Sequence, residues 1–179
     1  MTYHSKFTSC PRRVGNMAIL PLRTKVRGPA PQDPNLAEDI IDEALLYFKP
    51  LTFFRQYEFK SDADRVLVYL VLYILECLKK LQRCPTKSHG SKELTSLSLA
   101  RFDLPGDPGF PRELSNLYTK PSMADANLMR EYIAQLRTEL GIRLLDRVYV
   151  DDQAQPSKWW LCFAKRKFLD QSLSAPGSF

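Results

Sequence analysis

A chain of 179 residues with 44% apolar and 11% aromatic side chains and seven glycines can bury a core without disulfides or metal, which excludes a disordered or collagen-like protein. The formal charge of +6 is not spread evenly. Lys6, Arg12, Arg13, Arg23, Lys25 and Arg27 all precede the first acidic residue, Asp33, and the rest of the chain, with twenty side chains of each sign, is neutral. A basic arm on a neutral body is expected, and such an arm suits phosphate, anionic lipid or an acidic protein surface. The plainer reading is a segment packed on the body through Met17, Ile19, Leu20 and Leu22.

After a possible extended piece at residues 16–22, GPAPQDP at 28–34 is a stiff connector. The following LAEDIIDEALLYF places Leu36, Ile40, Ile41, Ala44, Leu45 and Phe48 at helical spacing, with Glu38, Asp39, Asp42 and Glu43 on the other side. Pro50 should end or kink that helix, and LTFFRQYEF adds a second apolar block.

The strongest pattern is RVLVYLVLYILECLKKLQRC at 65–84, with ten consecutive apolar residues from 66 to 75. A helix apolar on every side must be enclosed. The run is too short for a membrane span, which needs about 20 apolar residues, so a buried central helix over about 62–84 is predicted, capped at Ser61 and stopped by Pro85. A short helix is expected from Ser91. The sequence RFDLPGDPGFP then excludes regular structure over 104–111, and an ordered loop of that length points to a role at a surface.

From 124, ADANLMREYIAQLRTELGIRLLDRVYV repeats Leu128, Met129, Tyr132, Ile133, Leu136, Leu140, Leu144 and Val148 at three and four. It predicts one helix, weakened at Gly141, packing on one side, with Arg130, Glu131, Arg137, Glu139 and Arg143 outward. Pro156 and Ser157 introduce KWWLCFAKRKFL, a short helix capped by Ser157. Cys10, Cys77, Cys84 and Cys162 form no CxxC pair and read as reduced thiols, Cys77 and Cys162 as small core residues.

Taken together, the expectation is a mainly α protein: a single compact domain with an extended basic arm and linker (1–34), a helical body (35–173) and a flexible tail (174–179). No HExxH, GxSxG, Walker A or GxGxxG motif occurs. His4 and His89 stand outside any metal or catalytic pattern, and the carboxylates at 39, 42 and 43 belong to a helix face. No enzyme activity, catalytic residue, cofactor or metal is expected. The richest constellation is Lys158, Trp159, Trp160, Phe163, Lys165, Arg166 and Lys167. Aromatics among cations serve core packing, a protein interface, or single-stranded nucleic acid, weighed in that order.

The blocks NMAILPLR with GPAP, DIIDEALLYF, ADRVLVYLVLYILECLKKLQRC, LPGDPGFP, MREYIAQLRTELGIRL and PSKWWLCFAKRKF, in this order over about 15–173, resemble the small subunit 3 family of the actin-related protein 2/3 complex. The resemblance implies a non-catalytic structural subunit of the assembly that nucleates branched actin filaments. Its partners would be the other subunits, especially actin-related protein 3, and the actin filament through the assembled complex. Its place would be the cytoplasm, at the actin cytoskeleton. Pro50, the residues RELSN at 112–116 and the start KFTSCPRR depart from the family pattern. Candidate partner-binding residues are Arg12, Arg13, Arg23, Lys25, Pro105, Gly106, Phe110, Trp159, Trp160, Lys165 and Arg166. The alternative is a basic nucleic-acid-binding module.

Overall fold

A computed structural model describes residues 3–10, 12–151 and 155–174. Beyond Ser174, the tail expected at 174–179 lies outside the described residues.

The fold is mainly helical, and the described residues form six helices and a two-stranded hairpin: β1 (Arg13–Val14), β2 (Met17–Ala18), α1 (Ile40–Leu51), α2 (Asp62–Leu81), α3 (Lys87–Leu99), α4 (Arg112–Ser115), α5 (Met123–Val148) and α6 (Lys158–Leu161). Helix α2 begins where the Ser61 hydroxyl accepts the Asp64 N–H at 3.3 Å. Asp62 and Asp64 in its first turn and Lys79 and Lys80 in its last complement its dipole. All ten residues of the 66–75 run are buried, and α2 packs against α1, α3, α5, α6 and β2. Burial of each such Val, Leu or Ile contributes about 1.5–3 kcal/mol before chain entropy is counted. The helix ends at Leu81 rather than Cys84, because Gln82 already caps the Leu78 and Lys80 carbonyls, three residues before Pro85.

Helix α1 starts at Ile40, later than its apolar spacing suggests. Asp39 accepts the Ile41 and Asp42 N–H groups, and the Asp42 carboxylate returns to the Asp39 N–H, which forms a reciprocal cap. Pro50 sits inside the last turn, and the helix ends one residue later, at Leu51. The FFRQYEF block carries no helix. Helix α3 starts at Lys87, capped by Thr86, four residues before Ser91. Residues 104–111 are turns, as their proline and glycine require, and RELS closes into the short α4.

The arm is woven into the body. Gly15, at φ +58° in the first central position of the hairpin turn, permits the tight reversal between β1 and β2. Asn16 fastens this turn to the α4–α5 connection through Leu117 O and Thr119 N. Met17, Ile19, Leu20 and Leu22 are buried. Residues 4–6 are held by two buried carboxylates: Asp64 accepts His4 Nδ1 at 2.7 Å and the Ser5 N–H at 2.8 Å, and Glu43 accepts the Ser5 hydroxyl at 2.7 Å and the Lys6 N–H at 2.9 Å. Asp39 and Glu43, read as solvent-facing, are therefore interior groups. Burial pushes the Glu43 carboxyl above the usual glutamate range against these bonds.

Helix α5 is continuous through Gly141, but it does not pack on one side only. Gln135, Arg137 and Glu139 are buried on what the pattern makes its outer face. Gln135 holds the connector by accepting the Ala30 N–H at 2.8 Å and donating to Val26 O at 3.0 Å. Arg143 reaches Asp39 at 2.7 Å, Asp42 at 3.0 Å, Glu139 at 2.9 Å and the Arg23 carbonyl at 2.7 Å, which ties α5 to the α1 cap and to the arm. Burial raises the Asp39 pKa, but the hydrogen bonds and charge of Arg143 outweigh it and hold that carboxyl below its ordinary range. Cys162, expected in the core, is exposed, and the buried thiols are Cys77 and Cys84.

Candidate interaction surface

The Ser157 N–H donates to Val148 O at 2.8 Å and sets α6 next to the end of α5, from where Trp160 reaches Phe48 of α1. Helix α6 is four residues long, and the Ser157 hydroxyl makes no capping bond. Trp160 turns inward and stacks on Phe48, with ring centroids 5.8 Å apart and planes 11° apart. Phe163 meets the same Phe48 ring edge-on at 5.5 Å. The two tryptophans thus divide between core and solvent: Trp160 is 8% exposed and Trp159 is 79% exposed.

Next to Trp160 and Phe163 lies an aromatic and cationic surface, and the exposed Trp159 precedes Trp160 in the chain. Phe53, 60% exposed, meets Phe163 edge-on at 6.2 Å. The Arg166 guanidinium lies 4.1 Å from the Phe53 ring centre, and the Lys49 ammonium lies 4.5 Å from that of Trp160. Each cation is thereby held over an aromatic face, worth about 0.5–1 kcal/mol where exposed. Lys165, the residue before Arg166, is also exposed. Exposed tryptophan and phenylalanine ordered by arginine are what the centre of a protein interface requires, because they bury large area with few rotamers lost. Sequence reasoning missed Phe53 and Lys49. Their spacing to the KWW segment is not periodic, and only the fold brings them together.

The other sequence candidates separate. Arg12, Arg13 and Lys25 are exposed on the arm, and Arg13 lies 3.5 Å from Asp62. Arg23 serves structure, donating to Ala37 O at 2.9 Å and to Asp42 at 3.3 Å. In the proline-glycine loop Pro105 and Phe110 are buried, Phe110 against Tyr118 at 5.5 Å, while Gly106 is exposed at φ +94°. The loop is therefore anchored by apolar side chains rather than presented by them. The nucleic-acid reading gains no support, since Trp160 is not free to stack on a base and Phe163 is half-buried against α1. Among the described residues no group of three His, Cys, Asp or Glu side chains is placed to hold a metal, and no helix is long and apolar enough to cross a membrane.

The family model described as P21-Arc, the ARP2/3 complex ARPC3 (21 kDa) subunit, matches residues 1–173. The chain belongs to this family. It is 49% identical over 181 residues to the probable actin-related protein 2/3 complex subunit 3 of Caenorhabditis elegans, covering 98% of this chain and 97% of that one. It is 46% identical to the subunit 3 of Dictyostelium discoideum, covering 97% and 100% of the two chains. Against the subunit 3 of Saccharomyces cerevisiae the identity is 48%, with 96% and 98% covered.

Proposed function

We propose that this chain is a non-catalytic, structural subunit of an actin-related protein 2/3 complex, contributing to nucleation and branching of actin filaments in the cytoplasm, at the actin cytoskeleton. The observation that carries the reading is family membership over residues 1–173. The partner to which it docks is actin-related protein 3, and the actin filament is met through the assembled complex. Docking is assigned to Phe53, Trp159, Lys165 and Arg166, and the exposed Arg12, Arg13 and Lys25 of the arm form a separate set of charges that governs association rate more than affinity. The chain acts as one folding unit, supported by a continuous buried cluster from Val14 to Phe168.

Affinity capture of the tagged full chain from a cell extract, with quantitative mass spectrometry, tests this. The expected result is co-purification with both actin-related proteins in fixed one-to-one stoichiometry. Recovery of the chain alone would overturn it.

A further inference from the structure

Between α2, α3 and the 101–111 loop the protein holds a cleft of about 550 Å³, within the range of sites that take small molecules. Lys80 lines it from α2, Arg83 from the turn just after α2, and Arg101 from just beyond α3. Among the described residues these three exposed cations form no ion pair.

Arg137 lines the same cleft from α5 and is 5% exposed. Its guanidinium is fixed between the rings of Tyr73 and Phe102, 4.5 Å from each centre, and donates to Leu97 O at 2.7 Å and Tyr69 Oη at 3.4 Å. All of these partners are neutral, and its Nε has no acceptor. A buried cation without a counter-charge is expensive and projects its field into the adjoining cavity.

The carboxylates of the cleft do not cancel this. Glu76 is already engaged by Lys79 at 3.0 Å and by the Ser172 and Ser174 hydroxyls. Glu93 is paired loosely with His89, 3.9 Å away. That leaves Glu93 and Asp103, two carboxylates against three unpaired surface cations and Arg137. Guanidinium forks match phosphate oxygens two at a time, and an ammonium adds a point charge. A single phosphate fills a small part of the volume and engages one wall, whereas the cations stand on two.

We infer that this cleft binds a small polyanion carrying two or more phosphate groups, of the inositol polyphosphate kind, either free or as a lipid headgroup. Isothermal titration of the full chain with inositol hexakisphosphate tests it. One-to-one binding that weakens as salt rises is expected. Arg83→Gln with Arg101→Gln should weaken it about tenfold or more, with an unchanged thermal melt because both residues are exposed and unpaired. Arg12→Gln with Arg13→Gln, on the remote arm, should leave it within about twofold. Co-sedimentation with phosphatidylcholine vesicles containing phosphatidylinositol bisphosphate, but not phosphatidylserine, would assign the lipid source. Titration without co-sedimentation would assign the free one. No binding of inositol hexakisphosphate, equal binding by the cleft variant, or equally tight binding of a polyglutamate peptide would overturn the inference.

Discussion

Arg143 ties α5 to the α1 cap and to the arm, and Arg143→Met is the sharpest perturbation of that junction. The side chain is 13% exposed and holds Asp39, whose side chain is fully buried. Removing one partner of a buried pair leaves an uncompensated charge and costs about 3–5 kcal/mol. The lower end applies here, because Asp39 keeps the N–H groups of Arg23, Ile41 and Asp42, and Asp42 keeps the Arg23 guanidinium. About 3 kcal/mol corresponds to a fall in Tm of about 6–12 °C for a chain of this size. The pH dependence gives a second reading. In the native protein the Asp39 pKa lies below its ordinary 3.8, so its contribution is present above that value and is lost as pH falls through the folded pKa. Without Arg143, burial dominates and the sign reverses, so the Tm gap between the two proteins should narrow on acidification to about pH 3. Glu43, whose pKa is raised, contributes the opposite trend, but it does so in both proteins and drops out of the gap. Adding Asp39→Asn, which retains capping ability, should restore much of the lost stability. Circular dichroism melts of the isolated chain measure all three. A Tm loss of under about 2 °C at pH 7, or a gap that widens in acid, would refute the reasoning.

Trp160→Ala should cost about 3 kcal/mol or more, since the ring is buried on Phe48, whereas Trp159→Ala should change stability by no more than about 0.5 kcal/mol; urea midpoints distinguish them, and equal losses would contradict the assignment of core and surface. Gly90 of α3 packs against α2 and α5, a Cβ there standing 2.9 Å from Leu81, 3.1 Å from Leu145 and 3.2 Å from the Tyr149 ring. Gly90→Val should accordingly destabilise by about 2 kcal/mol in a denaturant titration. Arg12→Glu with Arg13→Glu removes one exposed pair at 3.5 Å and should leave the unfolding free energy within about 1 kcal/mol of the native protein, read from a thermal melt.

Helices that announce themselves by local chemistry were legible in the sequence. The apolar run at 66–75, the Ser61 cap and the three-four repeat through Leu144 and Val148 each act within a turn or two. What periodicity cannot convey is a charge whose partner lies far along the chain. Arg143 reads as solvent-facing until Asp39, 104 residues earlier, is placed beside it, and Arg137 until Tyr73 and Phe102 close over it. The tryptophans show the same limit at short range. In a four-residue helix the inward phase is set by the Ser157 to Val148 bond and by Phe48, not by the KWW spacing, so which ring faces solvent becomes visible only in the fold. The candidate surface was half legible for that reason: Trp159, Lys165 and Arg166 stand out in the sequence, while Phe53 and Lys49 join them through packing alone.

The docking surface is tested most directly by reconstituting the actin-related protein 2/3 complex with Phe53→Ala, Trp159→Ala and Arg166→Glu combined in this chain. Exposed residues of this kind carry interface energy rather than fold stability. The variant should therefore melt within about 1 kcal/mol of the native chain while its incorporation, measured by size-exclusion chromatography and subunit stoichiometry, falls about tenfold or more. Stoichiometric incorporation of the stably folded triple variant would contradict the account.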